Sequence, residues 1–284
     1  MIKFLKTTFA ATLCISACLT SHFALTSHTY AATTDWQETD GARLRMVSHS
    51  MPDDQGVIKG VIEVDLEPGW KTYWREPGSS GIPPFFDFSK SKNFSDIKIH
   101  YPTPVMLKDP AGSYAGYKAD VSFPVDIYTK DNTQSAHILA DIFIGVCSDI
   151  CVPFSAKIDL DLSQSQTTPD EMSLIENAQF ALPMEPSEDL KLNTAQYNQD
   201  RNVIEFDVTL PSFFPKSLEP ELFVHGPLDI PMSQPKLVDS ADGKIRFTSR
   251  VFKDLKDGEK LTGPLYVLLK LGPRSVQTTI ELGS

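Results

Sequence analysis

Two of the chain's four cysteines, Cys147 and Cys151, are separated by three residues in Cys147-Ser148-Asp149-Ile150-Cys151. Thiols at that spacing can exchange with other disulfides, close a structural bridge, or share a metal ion. In an extended strand four residues span about 13 Å, whereas a disulfide needs Cα atoms roughly 4.4–6.8 Å apart. The two thiols therefore join only if Ser148-Asp149-Ile150 folds back, as a hairpin tip would. A tip is also open to an attacking thiolate, which exchange requires. A staple would add little, since closing a loop of about five residues removes only around 2 kcal/mol of unfolded-state entropy. By contrast, about 1.4 kcal/mol of strain would retune a two-electron couple by 30 mV. Zinc or copper needs ligands beyond two thiolates, and His49, His100, His137 and His225 have no ligand spacing. No cofactor or metal is expected, although spacing alone leaves exchange, bridge and metal binding open. Other chemistry finds little support: there is no G-x-S-x-G turn, and Gly78-Ser79-Ser80-Gly81 lacks the following Lys of a phosphate loop.

The flanking segments must position the thiols. Ile138, Ala140, Ile142, Ile144 and Val146 share one strand face, and Val152, Phe154, Ala156, Ile158, Leu160 and Leu162 share another. Ser155, Lys157, Asp159 and Asp161 fall on the opposite, polar face. Period-two alternation on both arms predicts an antiparallel hairpin. Val57 to Leu66 alternates at its end before the Pro68-Gly69 turn, and Val121 to Tyr128 predicts another strand, with Pro124 suggesting a sheet edge. Thr168 to Phe180 predicts a helix capped by Thr168 or Asp170, with Met172, Ile175 and Phe180 as its apolar stripe. Pro183 and Pro186 interrupt the chain, so a linker is expected from Ala181 to Asp189. Beyond it, Val203–Leu210, Leu222–His225, Lys244–Phe252, Leu265–Leu271 and Ser275–Leu282 are expected strands, with turns at Asp242-Gly243 and Gly272-Pro273.

At the N-terminus, Lys3 and Lys6 precede an apolar run from about Thr7 to Leu19. That run is shorter than the roughly 20 residues a membrane span needs. It fits a secretory signal cut after Ala31. Competing expectations are a lipobox, Ile15-Ser16-Ala17-Cys18, with Cys18 lipidated, and a retained signal anchor. Cleavage near Ala31 removes Cys14 and Cys18, leaving Cys147 and Cys151 in a compartment that permits a disulfide. It also takes the formal charge from −11 to −13 through loss of Lys3 and Lys6. So acidic a chain, without a basic patch, is not expected to bind nucleic acid. Many prolines, glycines and short alternating runs point to β structure broken by turns. The expected organisation is a signal peptide at 1–31, a β-sandwich at 35–164, a helix and Pro-containing linker at 165–189, and a second, smaller β-sandwich at 190–284 of unassigned role.

The segment Gly69-Trp70-Lys71-Thr72-Tyr73-Trp74-Arg75-Glu76-Pro77-Gly78-Ser79-Ser80-Gly81-Ile82-Pro83-Pro84 is distinctive. Together with Val146 to Pro153, Tyr101-Pro102-Thr103-Pro104 and Gly116-Tyr117, it resembles the N-terminal periplasmic domain of DsbD-type thiol:disulfide interchange proteins. The likeness covers about residues 40–165 and leans to the variant in ScsB, the copper-sensitivity suppressor, because the DsbD form spaces its cysteines further apart. It implies an all-β, immunoglobulin-like sandwich whose Cys147 and Cys151 exchange with envelope partners. It also implies an aromatic cap over the pair, here Lys108 to Tyr117 with Tyr114 as the shield and Tyr73 lining the same site. The implied partner is a periplasmic thioredoxin-fold or other disulfide-bearing protein, with a membrane electron carrier as a second partner. Family members continue into a multi-helix membrane domain and a thioredoxin-like domain. This sequence carries neither, so a stand-alone relay component is expected, with the direction of exchange open. The competing expectation is a non-catalytic protein-binding module with a structural disulfide, and a link to copper tolerance follows from the likeness alone. Asp149 opposes thiolate formation, which favours a modest reductant; Arg75, if close, would offset it.

Overall fold

The alternating arms around the cysteines pair into a long hairpin within one sheet, and a second sheet closes over its apolar face. The computed structural model describes residues 30–78, 81–109, 112–215, 217–226, 232–241, 244–253 and 261–282. Residues 1–29 of the expected signal segment, with Cys14 and Cys18, and the expected turn at Asp242-Gly243 lie outside these residues.

The chain begins with β1 (Tyr30–Ala31), β2 (Gln37–Thr39), β3 (Ala42–Ser48), β4 (Val57–Leu66), β5 (Lys71–Tyr73) and β6 (Phe85–Asp87). Next come β7 (Phe94–Ile99), β8 (Val105–Asp109), β9 (Gly112–Tyr117), β10 (Val121–Thr129), β11 (His137–Cys147) and β12 (Cys151–Asp161). One sheet of this first sandwich runs β2-β3-β4-β10-β7; the other runs β12-β11-β5-β9-β8, with β6 added on β11. Ile58, Ile62 and Val64 of β4 and Phe123, Val125 and Ile127 of β10 share one buried core with the inward residues of β11 and β12. Each such side chain contributes roughly 1.5–3 kcal/mol on burial, and the polar outward face of β12 stays exposed.

Strand β4 is buried on both faces, because β13 (Ser165–Gln166) leads into a helix, α1 (Pro169–Phe180), that covers its outer side. Val61 of β4 and Val47 of β3 pack there against Ile175 and Ala178. Thr168 caps the helix in a reciprocal capping box with Glu171, which satisfies two otherwise orphaned backbone donors. The apolar stripe is narrower than expected: Ile175 is buried, whereas Met172 and Phe180 are exposed. The edge position expected for Pro124 is also corrected, since β10 lies between β4 and β7. Its carbonyl accepts from the His100 backbone N–H at 2.8 Å. The reciprocal bond that Pro124 cannot donate falls at His100, one residue past the end of β7 at Ile99, so the proline ends that ladder rather than breaking it.

The second sandwich comprises β14 (Lys191–Asn198), β15 (Val203–Thr209), β16 (Pro220–His225), β17 (Lys236–Ala241), β18 (Lys244–Arg250), β19 (Gly263–Leu271) and β20 (Arg274–Leu282). Its sheets run β14-β15-β18-β17 and β16-β19-β20, around a core that includes Phe206, Leu222, Phe247, Leu265 and Leu269. The fold is therefore all-β, an immunoglobulin-like sandwich followed by a second one. Strands β14 and β17 were not expected. Both are outer strands, and β17 is interrupted by a bulge between Leu237 and Asp239. The expected linker is partly built into this unit: the Met184 N–H donates to the Ser275 carbonyl at 2.9 Å, and Gln277 N–H donates to Met184 at 3.0 Å. Phe223 and Leu268 leave the second core to join the first, where Phe223 meets Trp74 edge-on at 5.9 Å.

Candidate redox site

Strands β11 and β12 pair without interruption from His137 opposite Asp161 to Cys147 opposite Cys151. Ser148, Asp149 and Ile150 form the tip, closed by the Ser148 N–H donating to the Ile150 carbonyl at 2.9 Å. Directly opposed, the cysteines have Cα atoms 4.0 Å apart and are joined as a disulfide. Their surroundings differ sharply: Cys147 is 1% exposed, whereas Cys151 is open to solvent. Ile150, at the tip beside it, is 69% exposed.

Beneath the pair lies Tyr73, whose hydroxyl is 3.1 Å from the Cys147 sulfur and 3.5 Å from that of Cys151. A disulfide sulfur carries no hydrogen, so the hydroxyl donates. Short strand β5 places it there, since Thr72 pairs with Val146 on one side and Tyr73 with Gly116 of β9 on the other. Thr72 Oγ1 also donates to the Gly145 carbonyl at 2.8 Å. The tyrosine ring lies on Gly145, where a Cβ would sit 3.0 Å from the ring and from Ile82. The glycine is thus the price of a close approach that no larger residue allows.

Tyr114, on β9, packs in the same buried cluster as Tyr73 and Cys147, with Ile82 and Leu107 at its border. The two tyrosine rings are 5.2 Å apart and inclined at 59°. Lys71 lies opposite Cys147 in the strand register, and its Nζ is 5.3 Å above the Tyr114 ring. The structure thus brings Tyr73 and Tyr114 together with the cysteines. The expected cap at Lys108 to Tyr117 corresponds to the β8–β9 hairpin, whose turn at 110–111 lies outside the described residues. Arg75 is turned between the two sandwiches: its guanidinium stacks 4.3 Å over Tyr101 of the first and lies 5.9 Å from Tyr266 of the second. Lys71, Ile82, Leu107 and Gly145 were not anticipated at the site. Gly145 carried a signal, being a glycine within a strand of alternating apolar residues.

The histidines are dispersed. His100 and His137 pair with Asp126 and Asp159 at 2.9 and 2.6 Å, and His225 faces Glu76 at 3.8 Å. Burial lowers the pKa of His49. Among the described residues, no three His, Cys, Asp or Glu side chains gather as a metal site, and no helix is long and apolar enough to cross a membrane.

The geometry defines a class of protein: a β-sandwich presenting a disulfide at a hairpin tip, one sulfur outward and one inward over a tyrosine. Residues 28–163 match the family model described as thiol:disulfide interchange protein DsbD, N-terminal, so this part of the chain is a DsbD-type N-terminal domain, as its motifs suggested. The crystal structure of the N-terminal periplasmic domain of ScsB from Proteus mirabilis aligns with a TM-score of 0.71 at 22% identity. The alignment covers 90% of this chain and 100% of that one, so the likeness of fold extends over both sandwiches. A conserved domain protein from Bacillus anthracis aligns with a TM-score of 0.22 at 9% identity, over 87% of this chain and 88% of that one, too weak a likeness to carry weight. No curated protein matches the sequence.

Proposed function

We propose that Cys147 and Cys151 relay electron pairs between proteins of the bacterial envelope. A thiolate on a reduced, thioredoxin-fold partner attacks the Cys151 sulfur. The Sγ–Sγ bond breaks, its electron pair leaves on Cys147 as a thiolate, and a partner–Cys151 mixed disulfide forms. A second partner thiol then attacks the partner's sulfur, releasing Cys151 and leaving the partner oxidised. The reduced pair passes the electrons on by the reverse sequence, with Cys151 attacking a substrate disulfide and Cys147 resolving the mixed disulfide. The observation carrying this reading is the unequal exposure of the two sulfurs, with the buried one against the Tyr73 hydroxyl. Only the outward sulfur is accessible to an attacking thiolate, and the inward one is the leaving group with a donor already aimed at it. Tyr114, across the Tyr73 ring, acts as the inner shield of the pair. The match to a DsbD-type domain supports an exchanging pair, and the likeness to a periplasmic domain supports that location.

The reduction potential of the pair tests this against a structural bridge. A value above about −300 mV, within reach of thioredoxin-fold partners, is expected; one well below that belongs to an inert staple and sinks the relay.

A further inference from the structure

Tyr73 ends β5, and the four residues after it run directly into the second sandwich. Trp74 meets Phe223 at 5.9 Å, Arg75 lies near Tyr266, and Glu76 faces His225 at 3.8 Å. The Pro77 carbonyl accepts from the Ala115 N–H of β9 at 3.1 Å, and Gln234 Nε2 approaches it at 3.5 Å. Gln234 is packed so closely on Gly78 that a Cβ there would sit 3.0 Å from its amide nitrogen. Gly81 and Ile82 lie back at the site. At Gly81 a Cβ would lie 2.8 Å from the Tyr73 ring, and the next residue, Ile82, borders the cluster of Tyr73, Tyr114 and Cys147. This strap, Trp74–Gly78, thus leaves Tyr73 and lies between β9, where the Trp74 N–H also donates to the Ala115 carbonyl at 3.1 Å, and the second sandwich.

We propose that the second sandwich is a positioning element for the disulfide: Phe223, His225, Gln234 and Tyr266 clasp the strap Trp74–Gly78 and so fix the Tyr73 hydroxyl against Cys147. This rests on the reading that the pair exchanges, and it gives residues 190–282 a part in that chemistry. None of the four clasping residues touches sulfur; they act through Tyr73. Loosening the clasp lets the hydroxyl drift, which withdraws its hydrogen bond from the reduced pair and shifts the equilibrium toward the disulfide.

The experiment measures the equilibrium constant of the full chain against dithiothreitol at pH 8, a probe that reads any disulfide whether or not it has a natural partner. The main variant is Gln234→Ala/Tyr266→Ala, at positions that are not fully buried and whose loss leaves both cores intact. Phe223→Ala, with Phe223→Leu as the conservative rescue, is the second. The double variant is expected to disfavour reduction about threefold to fivefold, the scale of one hydrogen bond. In a Tyr73→Phe background the same change should have less than about a 1.5-fold effect, as expected for residues acting through one group. A folded double variant with an unchanged constant overturns the proposal, as does an effect that persists in full without the hydroxyl. Failure of the wild-type pair to exchange with any protein overturns the relay reading alone, because the dithiothreitol constants still report the clasp.

Discussion

Replacing Tyr73 by Phe isolates the hydroxyl as a regulator of the couple. The phenyl ring keeps the packing on Gly145 and Tyr114, so the fold is expected to be unaffected. What is lost is one donor, 3.1 Å from the Cys147 sulfur and almost fully buried. Where the reduced Cys147 is ionised, that donor meets a charged acceptor, worth about 1.5–3 kcal/mol. In the oxidised protein it meets a neutral sulfur, at about 0.5–1.5 kcal/mol. The difference, about 1–1.5 kcal/mol, favours the reduced form, so its removal should make the potential about 20–30 mV more negative. Equilibration against glutathione at pH 8, with alkylation and mass detection of the two forms, reads such a shift. The alkylation profile of the variant should also move to higher pH. A potential that stays within about 5 mV of wild type, or moves upward, would show that the hydroxyl does not favour the reduced pair and refute the leaving-group role given to Cys147.

The two cysteines should behave unequally when each is replaced by serine. Cys147→Ser leaves an outward thiol and is expected to accumulate mixed disulfides with thioredoxin-fold partners on non-reducing gels, whereas Cys151→Ser should accumulate few; equal trapping contradicts the assignment. Gly145→Ala inserts a methyl 3.0 Å from the Tyr73 ring and from Ile82, at an expected cost of about 1–3 kcal/mol for overpacking. Urea unfolding measures that cost, and an unperturbed variant would mean the ring is free to shift. Asp126 sets a pH dependence in the first sandwich. Burial pushes its pKa up, but hydrogen bonds from His100 and Lys59 outweigh this and hold it at about 2, below the ordinary 3.8. A depressed acid stabilises the fold above its unfolded value and loses that contribution as pH falls through the folded one. Asp126→Asn should therefore cost about 2 kcal/mol near pH 6, with the gap to wild type closing between about pH 4 and pH 2. A gap that stays constant through that window in urea titrations rules out the ionised pairing as its source.

What was legible in the sequence followed from periodicity with one buried face. The β11–β12 hairpin, β4 and α1 each carried a pattern that burial alone enforces, and the cysteines inherited their place from the arms. Less could be read wherever the deciding neighbour is distant in the chain. Nothing local distinguishes Cys147 from Cys151; β5 and β9 bury one and leave the other out. Pro124 signalled an edge that β10 does not occupy, because the proline is accommodated where the ladder to β7 ends. Trp74 and Arg75 read as neighbours of the redox motif, and only the docking of Phe223 and Tyr266 turns them toward the other sandwich. Strands β14 and β17 escaped notice because outer strands carry little of the core and so little of its alternation.

The uninterrupted register up to Cys147 and Cys151 bears on timing. Eleven paired positions hold the thiols face to face, so the hairpin has no need to open when the bond breaks. In a mixed disulfide at Cys151, the resolving thiolate stays at very high effective concentration, as tethered reactants do. The covalent complex is then transient by construction: the partner is released almost as soon as it is caught, and traffic through the site is governed by encounter.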